Sequence, residues 1–292
     1  MEFDGKTAKF YEDVRTILED NRMSCQEMQI ELTEAVSFSE EPKGKRNKQG
    51  KPDNVDVHRI HCQDGVRFDS YEYEEDKLVG IRRAEFWKFS LDQLTGNMEA
   101  NGPGWILSWA RGSGRRAALA PNRTVKANTG GKSKSSKWEY TRIDFAGKTL
   151  GNIKGKHTTF HDRVEIVYGP VDKPLEIIDA EHLPKNGGWM RSNRLHVIQS
   201  EKTETAPAYN VVVASGNAEL EGRTFHARAD SITYDESKEL YVLRSIGSRK
   251  ATIWRQTTLG GKLSRADAQR MDFIPSRNIL KFDRTTGLDG SQ

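Results

Sequence analysis

Ser215-Gly216-Asn217-Ala218-Glu219-Leu220, then Phe225-His226-Ala227-Arg228-Ala229-Asp230-Ser231-Ile232-Thr233-Tyr234-Asp235, is the stretch that decides the fold of this 292-residue chain. Ile232-Thr233-Tyr234 alternates apolar and polar residues, the period of a half-buried strand. Gly216 offers the positive φ that a tight turn between short strands needs. Both halves of the stretch recur. Ala-[Asp/Glu]-x-apolar appears as Ala84-Glu85-Phe86-Trp87, Ala180-Glu181-His182-Leu183 and Ala229-Asp230-Ser231-Ile232, with a looser copy at Ala266-Asp267 and Cys25-Gln26-Glu27-Met28 in the same slot. Gly-Asn-x-Glu-x-x-Gly appears from Gly96 to Gly102 and from Gly216 to Gly222, with Gly151-Asn152-Ile153-Lys154-Gly155 a shortened relative. A small residue before an acid allows close approach of strands, while the acid points to solvent or bonds turn amides. Hairpins stacked along one axis account for such repetition.

Alternation continues elsewhere: Met28-Gln29-Ile30-Glu31-Leu32, Val36-Ser37-Phe38, Leu240-Tyr241-Val242 and Ile279-Leu280-Lys281-Phe282. These read as strands of four to seven residues, with all nine prolines expected between them, where a missing N–H harms no ladder. Helical signals are weak, Ser264 to Met271 being at best a short ambiguous segment. The chain reads as all-β.

Composition narrows the class. Hydrophobic residues make up 35% and charged residues 30%, which suits a thin, elongated core better than a sphere. The most apolar runs, Tyr209 to Ala214 and Trp105 to Ala110, fall far short of the roughly 20 residues of a spanning helix. Met1-Glu2-Phe3-Asp4-Gly5 has no basic or apolar signal-peptide region. Two Cys exclude a disulfide framework; Cys25 and Cys62 read as buried thiols, although their spacing also permits a bridge. The net charge of +4 conceals a division. Lys43, Lys45, Arg46, Lys48 and Lys51 occupy one acid-free stretch. Arg111, Arg115, Arg116, Arg123, Lys126, Lys132, Lys134 and Lys137 occupy another. Without those 13 bases the rest of the chain is net −9.

The repeats resemble the OstA-like family of lipopolysaccharide-transport domains (LptA and the periplasmic part of LptD), most closely over roughly 205–292, less over 1–40 and 60–110, and poorly over 111–160. Ala8-Lys9-Phe10-Tyr11-Glu12-Asp13-Val14 followed by Met23-Ser24-Cys25-Gln26-Glu27-Met28 looks like a further copy. The resemblance implies an elongated, open or partly open antiparallel β-jellyroll of stacked hairpins with an apolar groove that shields acyl chains, a periplasmic or cell-envelope location, and a lipopolysaccharide or related glycolipid partner. The expected organisation is a first set of repeats over 1–110, a basic insertion over 111–137 and a second set over 138–292, or one continuous jellyroll with a long inserted loop.

Catalytic chemistry has little support. His58-x-x-His61-Cys62 has three ligand types, but two His at i, i+3 on a strand face opposite ways, and no second pair closes a tetrahedral site. His157-x-x-x-His161 would share a face without acidic or thiol neighbours beyond Asp162. Neither Gly-x-Ser-x-Gly nor a Walker A loop occurs. No enzyme activity, cofactor or metal is expected. The expected groove residues are Trp87, Phe89, Trp105, Ile106, Trp109, Ile232, Tyr234, Val242, Ile253 and Phe273. Arg111, Arg115, Arg116, Lys132, Lys134 and Lys137 are expected to meet phosphate-bearing headgroups or another polyanion through charge alone, or else to be solvated loop. No aromatics interleave them, so specific nucleic-acid binding is not expected. Terminal strands with free edges could pair end to end with another copy or another such jellyroll. The alternative is a self-assembling envelope scaffold with a filled core.

Overall fold

The computed structural model describes residues 1–36, 56–111, 137–200 and 209–289, the last seven for their backbone alone. Seventeen strands form one antiparallel system. They are β1 (Glu2–Phe3), β2 (Thr7–Leu18), β3 (Asn21–Leu32), β4 (Val57–Glu74), β5 (Lys77–Asp92), β6 (Asn97–Asn101), β7 (Gly104–Arg111), β8 (Trp138–Phe145) and β9 (Lys148–Asn152). Then come β10 (His157–Val171), β11 (Gly188–Gln199), β12 (Asn210–Gly222), β13 (Phe225–Asp235), β14 (Leu240–Arg244), β15 (Ala251–Gln256), β16 (Leu263–Ile274) and β17 (Ile279–Asp289). No α-helix occurs among the described residues. Most strands pair with their sequence neighbours, except that β6 and β7, β8 and β9, and β14 and β15 do not pair with each other, and the β7–β8 pairing carries the ladder across the basic stretch.

Several strands are far longer than the alternation predicts, and β4 runs for 18 residues. Breaks in alternation that read as strand ends are instead corners. Register shifts fall between Tyr11 and Val14, Gln63 and Val66, His161 and Val164, and Ser215 and Ala218. The residues left over at each shift have positive φ: Glu12-Asp13, Asp64-Gly65, Asp162-Arg163 and Gly216-Asn217. A pair of left-handed residues bulges the strand and turns it, so one strand contributes to two leaves. Three strand levels break entirely at the corner. There β6, β9 and β14 join one leaf (the lower), while β7, β8 and β15 join the other (the upper).

Gly216-Asn217 is therefore a mid-strand corner, whereas Gly96 lies in the turn between β5 and β6 and Asn97 opens β6. The similar motifs do different work. Asn217→Val should lower stability by about 1–2 kcal/mol, because a β-branched residue strains the left-handed region; a urea midpoint measures it. Three further expectations change. Ser264 to Met271 lies inside strand β16. Ala180-Glu181-His182-Leu183 lies in the irregular connection between β10 and β11. Pro170 lies within β10, opposite Glu139 of β8 and beyond the last β11 partner at Tyr168, so its missing N–H faces an unpaired side.

The leaves face each other across one continuous apolar cluster that draws on both. Filling is uneven. In β11–β16, Leu195, Leu220, Ile232, Leu243, Ile253 and Met271 are wholly buried. In β2–β7, inward positions such as Phe10, Met23, Ile30, Ile60, Phe68, Phe89 and Ile106 are only partly buried. A second, smaller cluster lies on the outside of the upper leaf: Ile81, Trp109, Trp138, Tyr140 and Val171. The β10–β11 connection roofs it through Ile178, and Trp109 Nε1 donates to the Glu176 carbonyl at 2.8 Å.

Candidate functional site: an apolar interior between two leaves

Alternation along each strand sorts the side chains, because successive residues face opposite ways. On β4, Cys62 and Val66 face inward and are buried, so Ile60 and Phe68 share that face. On β5 the inward set is Ala84 and Phe86, then Phe89 beyond the corner. Phe86 and Phe89 stack at 6.1 Å, Phe86 meets Phe145 at 6.2 Å, and Phe145 meets Phe160 at 5.5 Å. These rings form the floor of the space between the leaves. Cys25 and Cys62 sit in the same floor as free, buried thiols, and burial pushes both up in pKa.

The mouth of the upper leaf is polar. Register places Ser70, Arg82, Ser108 and Thr141 side by side on adjacent strands in one inward-facing row. Burial lowers the Arg82 pKa, and the nearby Glu72 carboxylate works against that. Further along, a small, mainly apolar pocket of about 80 Å³ opens between the leaves. Ile166, Tyr168 and Met190 line it from the upper leaf, and Val197, Val212, Tyr234 and Tyr241 from the lower.

Of the expected groove residues, Phe89, Ile106, Ile232, Tyr234, Ile253 and Phe273 belong to the inner cluster. Ile232, Ile253 and Phe273 are fully packed there, while Phe89, Ile106 and Tyr234 keep partial exposure. Trp109 lies in the outer cluster. Trp105, opposite Glu85 and Asp144, also faces outward. Val242, between inward Tyr241 and Leu243, does too. Trp87 sits at the β5 corner and is 53% exposed. Period 2 tells that neighbours face apart; which parity is inside is set by the packing of the leaves, and it changes at the corner on β5 (Phe86, then Phe89) but not on β4 (Cys62, then Val66). Tyr168, Met190, Val212 and Tyr241 were not singled out from sequence, and only the facing of the leaves brings them together.

The basic expectations fall mostly outside the described residues: Arg115, Arg116, Lys132 and Lys134, with the whole of 43–51. Arg111 is exposed at the end of β7, and Lys137 pairs with Asp172 at 3.3 Å. A different cationic cluster lines the outer side of the corner. Arg163, Arg191, Arg228, Arg249 and Lys250 surround Glu165, Glu219 and Asp230. Glu219 takes Arg191 and Arg228 together, the latter at 2.5 Å, and Asp230 takes Arg249 at 3.2 Å. Asp230 Oδ2 also accepts from the Ile246 amide at 2.8 Å, the turn-bonding role that an acid after Ala allows. No sequence run marks these arginines, because register across four strands assembles them.

Among the described residues no group of three His, Cys, Asp or Glu could hold a metal ion. His157 and His196 lie 6.0 Å apart between ring centres, and Thr159 Oγ1 is 2.8 Å from His196 Nδ1. Burial lowers the pKa of His61, His161, His196 and His226. A folded-state pKa below the unfolded value of about 6.5 means the unfolded chain binds more protons in the window between the two. Stability therefore falls as pH drops through and below about 6.5. The urea midpoint should be lower at pH 5.5 than at pH 7.5, and His226→Gln should flatten that dependence.

No curated protein matches the chain. Residues 182–257, from the end of the β10–β11 connection through β11, β12, β13, β14 and β15, match the model of the family described as LptA/(LptD N-terminal domain) LPS transport protein, the family that the repeats resemble.

Proposed function

We propose that this chain is a lipid-binding and transport module of the cell envelope, which shields the acyl chains of lipopolysaccharide or a related glycolipid between the leaves of its jellyroll. The observation that carries the reading is the uneven filling of the interior. Partly exposed Phe10, Met23, Ile30, Ile60, Phe68 and Phe89 line the inward face of β2–β5. Contiguous apolar surface left open marks a binding site more often than a fold defect, and each methylene that it covers contributes about 0.8 kcal/mol. The match over 182–257 supports the class of cargo and an envelope location. Shielding involves no chemical step and no cofactor. Where headgroup phosphates meet the protein, Arg111 and Lys137 with the neighbouring basic stretch are the proposed contacts, acting by charge. Among the described residues the ladder ends at β2, which β1 covers only at Lys9 and Ala8, and at β17. Both ends offer edges for strand addition by a second copy or a similar jellyroll.

The test is organic extraction and mass spectrometry of lipid that co-purifies with the protein from a diderm host. One glycolipid per chain supports the reading. Absence of lipid from well-folded protein, even after incubation with lipopolysaccharide, would favour the filled scaffold, a reading to which the closed packing of β11–β16 lends itself.

A further inference from the structure

The two leaves touch at the mouth through aromatic side chains. The Tyr168 hydroxyl of the upper leaf meets the Tyr241 hydroxyl of the lower leaf at 2.5 Å. Tyr241 stacks on Tyr234 at 4.6 Å. Phe225, again from the upper leaf, meets Phe273 of the lower leaf edge-on at 5.0 Å. These rings need clearance, and two glycines supply it. Tyr168 lies over Gly188 and Phe225 over Gly222, so that a Cβ at either position would strike the ring. The hydroxyl pair stands at the apolar pocket that Met190 and Val212 help to line. Its lower partner, Tyr241, lies on β14 beside the wholly buried Leu243.

We propose that Tyr168 and Tyr241 form a gate over this pocket, closed by their hydrogen bond and opened to admit the end of one acyl chain. The assignment of an acyl chain rests on the lipid reading above; the gate itself rests on the geometry. A phenol–phenol bond is a weak closure, because water or a chain's ester or amide carbonyl replaces it readily. The fully packed core beside it has no comparable hinge, since opening it would separate many apolar contacts at once. The walls of the pocket are mainly apolar on both leaves, with Glu139, Thr141, Asn210 and Glu236 beside the apolar side chains, which suits the tail of a chain rather than its headgroup.

The experiment places a thiol behind the gate. In the full chain carrying Cys25→Ala and Cys62→Ala, Met190→Cys is labelled with N-ethylmaleimide, and Ile166→Cys, a buried residue of the same pocket, serves if Met190→Cys does not fold. Tyr168→Phe and Tyr241→Phe keep both rings and remove the bond. Each should speed labelling about fivefold, the factor that a net hydrogen bond of about 1 kcal/mol corresponds to. The double Phe variant should be no faster than either single one, since all three lose the same bond. Tyr73→Phe, exposed near the end of β4, should leave the rate unchanged. Equal labelling rates in all variants would overturn the gate. A second arm follows uptake of cis-parinaric acid by fluorescence, which should accelerate by the same factor in the gate variants. A parent chain that excludes the fatty acid while its labelling still responds to the Phe variants overturns the lipid reading and leaves the gate supported.

Discussion

Ile232→Glu is expected to lose about 4–5 kcal/mol of stability, enough to leave a chain of ordinary stability largely unfolded. Ile232 is wholly buried on β13, between Ala214 of β12 and Leu243 of β14. A carboxylate there would sit against Ala214 and Leu243, both wholly buried, away from water. It must ionise unpaired or take up a proton, and either course is unfavourable in addition to the lost packing of the isoleucine. Ile232→Val, which removes one methylene, should lose only about 1 kcal/mol. Urea unfolding at constant m-value separates the two. A Glu variant that unfolds at the parent midpoint would mean that the β11–β16 interior is open rather than filled.

Ile60→Glu combined with Phe68→Glu is expected to act in the opposite sense, removing lipid at little expense in stability. Both residues face inward, Ile60 opposite Ile30 and Leu91, Phe68 opposite Met23 and Ala84, and both remain partly exposed. Their carboxylates can therefore reach water, so the folded state should lose no more than about 1–2 kcal/mol. Two charges in the path of acyl chains should reduce co-purifying lipid by at least about tenfold, the factor that 1.4 kcal/mol corresponds to. Lipid retained at the parent level by a folded variant would place the cargo elsewhere. The contrast between these two inward-facing variants tests the division of the interior into an open and a closed part.

The class of the fold was legible because alternation and turn residues act over a few positions, and both survive in Ile232-Thr233-Tyr234 and Gly216-Asn217. Strand length was not legible. A corner made by Glu12-Asp13 or Asp162-Arg163 looks in sequence like a loop between two strands, since the same left-handed pair serves both purposes. The misplacement of Trp105, Trp109 and Val242 as groove residues has another cause: β7 and β14 are unbroken, and alternation alone does not say which parity looks inward. An error of one residue at a corner exchanges the inner and outer faces of everything beyond it. Trp109 adds a second reason: it is buried as deeply as Met28 or Phe273 of the inner cluster, but under the β10–β11 connection, a cover that no local pattern announces.

Local order thus determined what kind of chain this is: β-strands, repeated hairpins, sparse apolar residues and a basicity confined to two stretches. All of these depend on residues within about ten positions of one another, where backbone preference and period act directly. The tertiary structure decided which faces look inward, where the interior is filled, and which distant residues meet. Tyr168 and Tyr241, or Arg191 and Arg228 around Glu219, come together only through the register of several strands and the angle at their corners. That register is set by the packing of whole leaves, which lies beyond the reach of any short-range signal.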